Sequence, residues 1–373
     1  MNKGMTYAET GVNYNAMDPF KIACQKRAKA TDTNAERLGF KSVSSSRGES
    51  AFLFQQFVFT KNPHTTFGHV EEGLGTKNLV ADAMYALTNK SYYDQIAQDT
   101  VAMVVNDMVT LGILPIGVAM HLAVGESDWF GDSERLTDLI NGWGSACDTA
   151  RCVWSGGETP TLNGIIVPGT VLLSGSAFGT VKSGSRPLDQ KNIRHGDVIV
   201  IIESSGIHAN GLTLARKIAD KLPEGYLTKL SDKRTYGETL LDPTHIFVGL
   251  VEDCLDVGVN IHYAVNVTGH GWRKLMRATQ AFTYVIETLP TQLQIFDFLQ
   301  QHGPVDDMEA YGNLNMGAGF ALYVNEVQAP QVIDVAKKLG LRAFVAGHIE
   351  DGDKKVVITP KNLEYAGETL AVR

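Results

Sequence analysis

Positive charge is in short supply: 33 lysines and arginines stand against 41 aspartates and glutamates, a net −8 over 373 residues. A surface of that sign repels phosphate backbones and anionic lipid, so nucleic acid and membrane surfaces are excluded as first partners. Small anions stay admissible at a pocket that is locally positive or bears a metal. Cysteine is scarce too. Cys24, Cys147, Cys152 and Cys254 form neither a CxxC pair nor a zinc spacing, and read as reduced thiols of a cytosolic protein rather than a disulfide framework. Residues 1–9 lack the apolar core of an export signal. The uncharged stretch 159–181 is broken by Pro160, Pro168 and several glycines, so it reads as buried strands and turns, not a membrane span.

Glycine is what the chain has in excess, 37 of 373 residues or about 10%, against ~7% in an average protein. The glycines follow no period and form no low-complexity run, which excludes collagen, linkers and solenoids. They recur between a strand-like and a helix-like run. The first case is a strand over 67–72, then Gly73-Leu74-Gly75-Thr76-Lys77 and a helix from Asn78. The second is a strand over 197–203, then Ser204-Ser205-Gly206-Ile207-His208-Ala209-Asn210-Gly211 and a helix over 212–221. The third is a strand over 264–267, then Thr268-Gly269-His270-Gly271 and a helix over 272–278. Such a loop lets backbone N–H groups approach an anion, and the helix start adds about half a positive charge. Glycines also end strands for steric reasons, but three such loops favour phosphate handling.

A polar turn at Lys182-Ser183-Gly184-Ser185-Arg186-Pro187 predicts a boundary between domains 1–182 and 183–373. Near the start, Asp18-Pro19 caps and opens a helix running to about Lys29. The C-terminal part alternates: strand 319–324, helix 330–339, strand 342–349, a turn at Asp351-Gly352 and strand 355–358. The whole predicts two mixed α/β domains.

The segment over 99–112 is apolar except for a polar stripe. At ~100° per residue, Asp99, Asn106 and Thr110 fall within about 20° of one direction, with Asp107 about 80° away. A helix apolar nearly all round is buried, and its carboxylates then need a partner. A solvated face would carry lysine and glutamate over a wider arc, so the stripe predicts a hard divalent cation such as Mg²⁺. Glu158, in Ser155-Gly156-Gly157-Glu158-Thr159 after a strand-like run, is a further acid of either turn or ligand character, as is Glu72. Lys77 is either a point charge for phosphate or a solvated helix lysine. Gly-Thr-Lys here lacks the four-residue spacer of a P-loop, which excludes that NTPase class.

Tyr7-Ala8-Glu9-Thr10-Gly11-Val12, Gly73-Leu74-Gly75-Thr76-Lys77, Asp99-Thr100-Val101-Ala102-Met103 and Val105-Asn106-Asp107 resemble phosphoribosylformylglycinamidine cyclo-ligase, the aminoimidazole ribonucleotide synthetase family. So do Gly156-Gly157-Glu158-Thr159, Gly196-Asp197-Val198, the 204–211 loop, Leu241-Asp242-Pro243-Thr244 and Val267-Thr268-Gly269, in the family's order over nearly the whole chain. The resemblance implies a cytosolic homodimer of two-domain α/β subunits. Their N-terminal sheets join across the dimer as an interface sheet or barrel, and the C-terminal domain is a mixed sheet with helices. It implies ATP and Mg²⁺ as cofactors and a small nucleotide substrate, formylglycinamidine ribonucleotide, whose imidazole ring is closed.

By the same likeness, Glu72, Asp99, Asp107 and Glu158 hold the metal. Gly73, Gly75, Thr76, Lys77, Asn106, Gly156, Gly157, Thr159, Ser205, Gly206, Asn210, Gly211, Thr268 and Gly269 meet ATP or phosphate, and Lys77, Asp99 and His208 serve the chemistry. His208 suits a proton carrier or a hydrogen-bond fixture. Departures fall on the substrate side. Glu71-Glu72-Gly73 replaces Thr-Asp-Gly, Ser44-Ser45-Ser46-Arg47-Gly48-Glu49-Ser50 a glycine-rich segment, and Met120-His121 an Asp-Tyr pair. Pro160-Thr161-Leu162-Asn163-Gly164 replaces Ala-Glu-Met-Pro-Gly, and Gly269-His270-Gly271 a triple glycine. These departures leave open another ATP-using enzyme of the superfamily acting on a different amide or acyl substrate. A non-catalytic nucleotide-binding relative is the third reading.

Overall fold

The computed structural model describes residues 14–42, 54–56, 66–183, 185–303 and 305–370. Tyr7 to Val12, Ser44 to Ser50 and Gly184 of the sequence motifs lie outside the described residues, as does the side chain of Asp18. The chain divides into two compact units, Met1–Val105 with Leu114–Ser185, and Asn106–Ile113 with Arg186–Arg373. The short segment 106–113 thus belongs with the second unit although it lies far from it in sequence.

The first unit holds α1 (Tyr14–Lys29), β1 (Phe40–Ser42), β2 (Phe54–Gln56), β3 (Phe67–Gly73), α2 (Lys77–Thr88) and most of α3 (Tyr93–Val109). It continues with β4 (Ile113–Val124), α4 (Ser133–Thr149), β5 (Val153–Glu158) and β6 (Val171–Val181). β3, β6, β4 and β5 form a four-stranded sheet in that order, with β3–β6 antiparallel and β4–β5 parallel. Gly175 of β6 turns its Cβ position toward the side chains of Val104 and Trp143, so α3 and α4 cover one face. Trp143 also packs on Trp154, ring centres 5.9 Å apart.

The second unit holds β7 (Asp197–Glu203), α5 (Leu212–Ala219), α6 (Tyr236–Leu240), α7 (Val248–Asp256), β8 (Tyr263–Asn266) and β9 (Phe282–Ile286). α8 (Gln294–His302), α9 (Asp307–Asn313), β10 (Ala318–Asn325), α10 (Ala329–Lys338), β11 (Ala343–Asp351), β12 (Lys355–Ile358) and β13 (Leu363–Ala366) complete it. Its seven-stranded sheet runs β13-β12-β9-β11-β7-β10-β8. All ladders are antiparallel except β12–β9. β7 is buried along its whole length, as its unbroken Val198-Ile199-Val200-Ile201-Ile202 run requires of a strand covered on both faces. Each such side chain contributes about 1.5–3 kcal/mol.

Mixed α/β architecture is therefore what the sequence pattern predicts, with three local corrections. α1 begins at Tyr14 and carries Pro19 inside it, five residues before the cysteine Cys24, rather than opening at Pro19. The run after the third glycine loop is a 3₁₀ helix, Gly271–Met276, entered through His270 and Gly271 at φ 71° and 48°. β5 does not stop before its glycines but continues through Gly156 and Gly157 to Glu158. Glycine makes this possible: a Cβ on Gly157 would lie 2.1 Å from the Met120 carbonyl oxygen of the neighbouring β4. Among the described residues no helix is long and apolar enough to cross a membrane.

Candidate active site

In the first unit, Glu72 and Gly73 end β3, and the turn through Gly75 (φ 78°) leads to Thr76, the N-cap of α2. Thr76 makes no side-chain cap bond, so the α2 amides keep the partial positive charge of a helix start. Lys77 turns inward. Its Nζ lies 2.7 Å from Asp99 Oδ2, and both side chains are wholly buried. Asp99, expected at a metal ion, and Lys77, expected at phosphate, form one internal ion pair. The reason is electrostatic, since an enclosed carboxylate demands a counter-charge and the neighbouring helix supplies one. Across the sheet, Gly156 takes φ 141° and its carbonyl accepts from Trp154 Nε1 at 3.0 Å. Glu158 Oε1 accepts from the Thr159 backbone N–H at 3.1 Å. Thr159 is buried, and its Oγ1 has no hydrogen-bond partner among the described residues.

The second unit gathers the remaining candidates. Asn106 Nδ2 donates to the His245 carbonyl and its Oδ1 accepts from the Phe247 N–H, both at 2.8 Å. Asp107 Oδ1 accepts from Asn266 Nδ2 at 2.7 Å. Asp99 and Asn106 of the polar stripe are therefore buried as predicted, Asp107 and Thr110 are half-buried, and protein groups bond Asn106 and Asp107. In the 204–211 loop, Ser205 Oγ donates to the Pro243 carbonyl, and the Ser205 N–H donates to His208 Nε2 at 3.3 Å. His208 is buried, sits at φ 60°, and packs edge-on against His245 at 6.3 Å. Its ring thereby ties the start of the loop to its middle. Asn315 Nδ2 donates to the Gly206 carbonyl at 3.0 Å, and Gly211 (φ 86°) caps α5. Asn210 stands against Gly269, its Oδ1 3.4 Å from where a Cβ would be, and its buried Nδ2 has no partner among the described residues. Lys274 Nζ donates to Thr268 Oγ1, which ties the third glycine loop to the helix after it.

His245, Asn266 and Asn315 are the organising residues that pattern reading misses. His245 follows the Leu241-to-Thr244 motif without belonging to it, and Asn266 reads as an ordinary strand residue. Burial, with the Arg342 charge as a smaller cause, holds the His245 imidazole below its ordinary 6.5.

Thr159 Oγ1 in the first unit and Asn210 Nδ2 in the second are each unpartnered among the described residues, and each suits an acceptor oxygen such as a nucleotide carries. A protein-only metal cage is not formed: among the described residues no three histidine, cysteine, aspartate or glutamate side chains gather to hold an ion.

The profile described as AIR synthase related protein, N-terminal domain, matches residues 72–181, and that of the C-terminal domain matches 194–359. Phosphoribosylformylglycinamidine cyclo-ligase of Carboxydothermus hydrogenoformans is 35% identical over 77% of this chain and 81% of its own. The protein of that name from Methanocaldococcus jannaschii is 36% identical over 75% and 77%. The chain belongs to the phosphoribosylformylglycinamidine cyclo-ligase family. The cyclo-ligase of Clostridium novyi extends the kinship to 95% of this chain and 99% of its own, at 31% identity. Among solved structures, thiamine-monophosphate kinase from Stenotrophomonas maltophilia aligns with a TM-score of 0.61 at 20% identity, over 91% of this chain and 97% of that one. Escherichia coli HypE, a hydrogenase maturation protein, gives 0.56 at 13% identity over 82% and 85%. At such identities the likeness is one of fold. The N-terminal match spans the first glycine loop and Thr159, and the C-terminal match spans the other two loops and Asn210.

Proposed function

We propose that the chain closes the imidazole ring of aminoimidazole ribonucleotide from formylglycinamidine ribonucleotide, consuming ATP, in purine biosynthesis. The observation that carries this reading is kinship with named cyclo-ligases along most of the chain, with both matched domains spanning the candidate loops. The formyl amide oxygen attacks the γ-phosphorus of ATP and ADP leaves. The ring-forming nitrogen then attacks the activated carbon, and the oxygen departs as phosphate. An amide oxygen is a poor leaving group and phosphate a good one, so one ATP suffices. Phosphoryl transfer asks the protein for positioning and charge neutralisation.

In the first unit, Gly73, Gly75 and Thr76 with the α2 amides, and Gly156, Gly157 and Thr159 at the β5 end, are the groups for phosphate or ribose oxygens. In the second, Ser205, Gly206, Asn210, Gly211, Thr268 and Gly269 have that role, with Asn106 holding the segment that carries His245. Lys77 and Asp99 act by fixing each other, not by touching ligand. Mg²⁺ enters with ATP, because it favours phosphate oxygens, water and one or two carboxylates over a protein cage; Glu72 and Glu158 are the candidate carboxylates of the first unit and Asp107 that of the second. It would supply charge neutralisation at the phosphates. The working protein is a cytoplasmic homodimer.

The test is direct. Purified chain, formylglycinamidine ribonucleotide and Mg²⁺–ATP should yield aminoimidazole ribonucleotide and ADP in equal amounts, and the gene should rescue a purine auxotroph lacking the cyclo-ligase. ATP binding without turnover, and no rescue, would reject the reaction.

A further inference from the structure

Each strand of the four-stranded sheet contributes one residue to a single row. Gly73 of β3 is paired with Ser174 of β6, and His121 of β4 with Glu158 of β5. Ser174 Oγ lies 3.3 Å from His121 Nδ1, which joins the two halves. Neighbouring residues of a strand point to opposite faces. Gly175 addresses the face covered by α3 and α4, so Ser174 and His121 address the other. Both are half-buried, and Gly73 and Glu158 at the ends of the row are exposed. Gly73 opens the turn into α2, and Glu158 precedes Thr159 with its unpartnered hydroxyl. His121 therefore lies between the two turns assigned above to ligand.

We propose that His121 is a specificity-determining residue: Ser174 fixes Nδ1, and Nε2 hydrogen-bonds the amide–amidine portion of the substrate. This rests on the reaction assigned above. Ser174 engages Nδ1, and among the described residues no hydrogen bond is seen at Nε2. Between the two turns the row presents only Ser174 and His121, with no lysine or arginine, so its middle matches a phosphate poorly. An amide–amidine chain offers N–H donors and a carbonyl acceptor, and a neutral imidazole can meet either one.

Two substitutions separate contact from scaffolding, because an asparagine amide overlays Nδ1 and a glutamine amide overlays Nε2. His121→Asn keeps the Ser174 link and should raise the KM for formylglycinamidine ribonucleotide roughly 3- to 10-fold, the worth of one neutral hydrogen bond. The KM for ATP and the melting temperature should stay as in the wild type. His121→Gln keeps the outward group and should stay within about twofold of wild type. The opposite order, or a change in the KM for ATP instead, overturns the proposal. Absence of turnover by the wild type would defeat the reaction alone, and calorimetry with formylglycinamidine ribonucleotide would then decide. Weaker binding by His121→Asn than by the wild type sustains the proposal. Equal binding by the two, or none by the wild type, overturns it.

Discussion

The ammonium of Lys77 lies 2.7 Å from the carboxylate of Asp99, and water reaches neither side chain. The first residue of α2 is thereby fastened to α3, and the glycine turn before it is set in place. Removing one partner leaves a buried charge alone. Lys77→Met should cost about 3–5 kcal/mol in urea unfolding, and Lys77→Met/Asp99→Leu should recover most of that loss. A single variant as stable as wild type would show that the pair carries no such load.

Gly157 and Gly73 are glycines for different reasons. A Cβ on Gly157 would strike the Met120 carbonyl at 2.1 Å, whereas one on Gly73 meets nothing within 4 Å. Gly157→Ala should lose about 2 kcal/mol or more by forcing β5 off β4. Gly73→Ala should be within about 1 kcal/mol of wild type. If a phosphate approaches that backbone closely, Gly73→Ala should nevertheless raise the KM for ATP; melting curves beside steady-state kinetics check both.

Thr159 Oγ1 and Asn210 Nδ2 are buried without partners among the described residues. Thr159→Val and Asn210→Ala remove a desolvated polar group, so the free protein should be no less stable by more than ~1 kcal/mol. Nucleotide or substrate binding should weaken by roughly 10-fold, a charge-assisted bond being stronger than a neutral one. Calorimetric titration measures this. Unchanged affinity in both variants would remove these atoms from the site.

His245 sets a pH limit. Its imidazole is held below 6.5 in the folded chain, chiefly by burial. The unfolded chain therefore takes up a proton near pH 6.5 that the folded chain still refuses. Its contribution is whole above about 6.5 and is lost as pH falls toward the lower folded value. Urea midpoints between pH 7.5 and 5.5 should fall, and His245→Gln should flatten that fall. Parallel curves would assign the loss to other groups.

The sequence by itself determined the elements and the kinship. The Val198-to-Ile202 run dictates a buried strand, and Gly75 and Gly211 mark turns at positive φ. These are local properties, set by side-chain periodicity and backbone freedom within a few residues. It also determined that Asp99 and Asn106 lie inside, because an oily helix buries its polar minority with the rest. Only the tertiary structure decided what satisfies them: Lys77 for Asp99, the His245–Phe247 backbone for Asn106, and Asn266 for Asp107. Tertiary pairing likewise carried β5 through its glycines and placed His121 beside Ser174. A buried polar atom states that it needs a partner but not which one. Partners up to 159 residues away are chosen by how strands and helices stack, which no local pattern encodes.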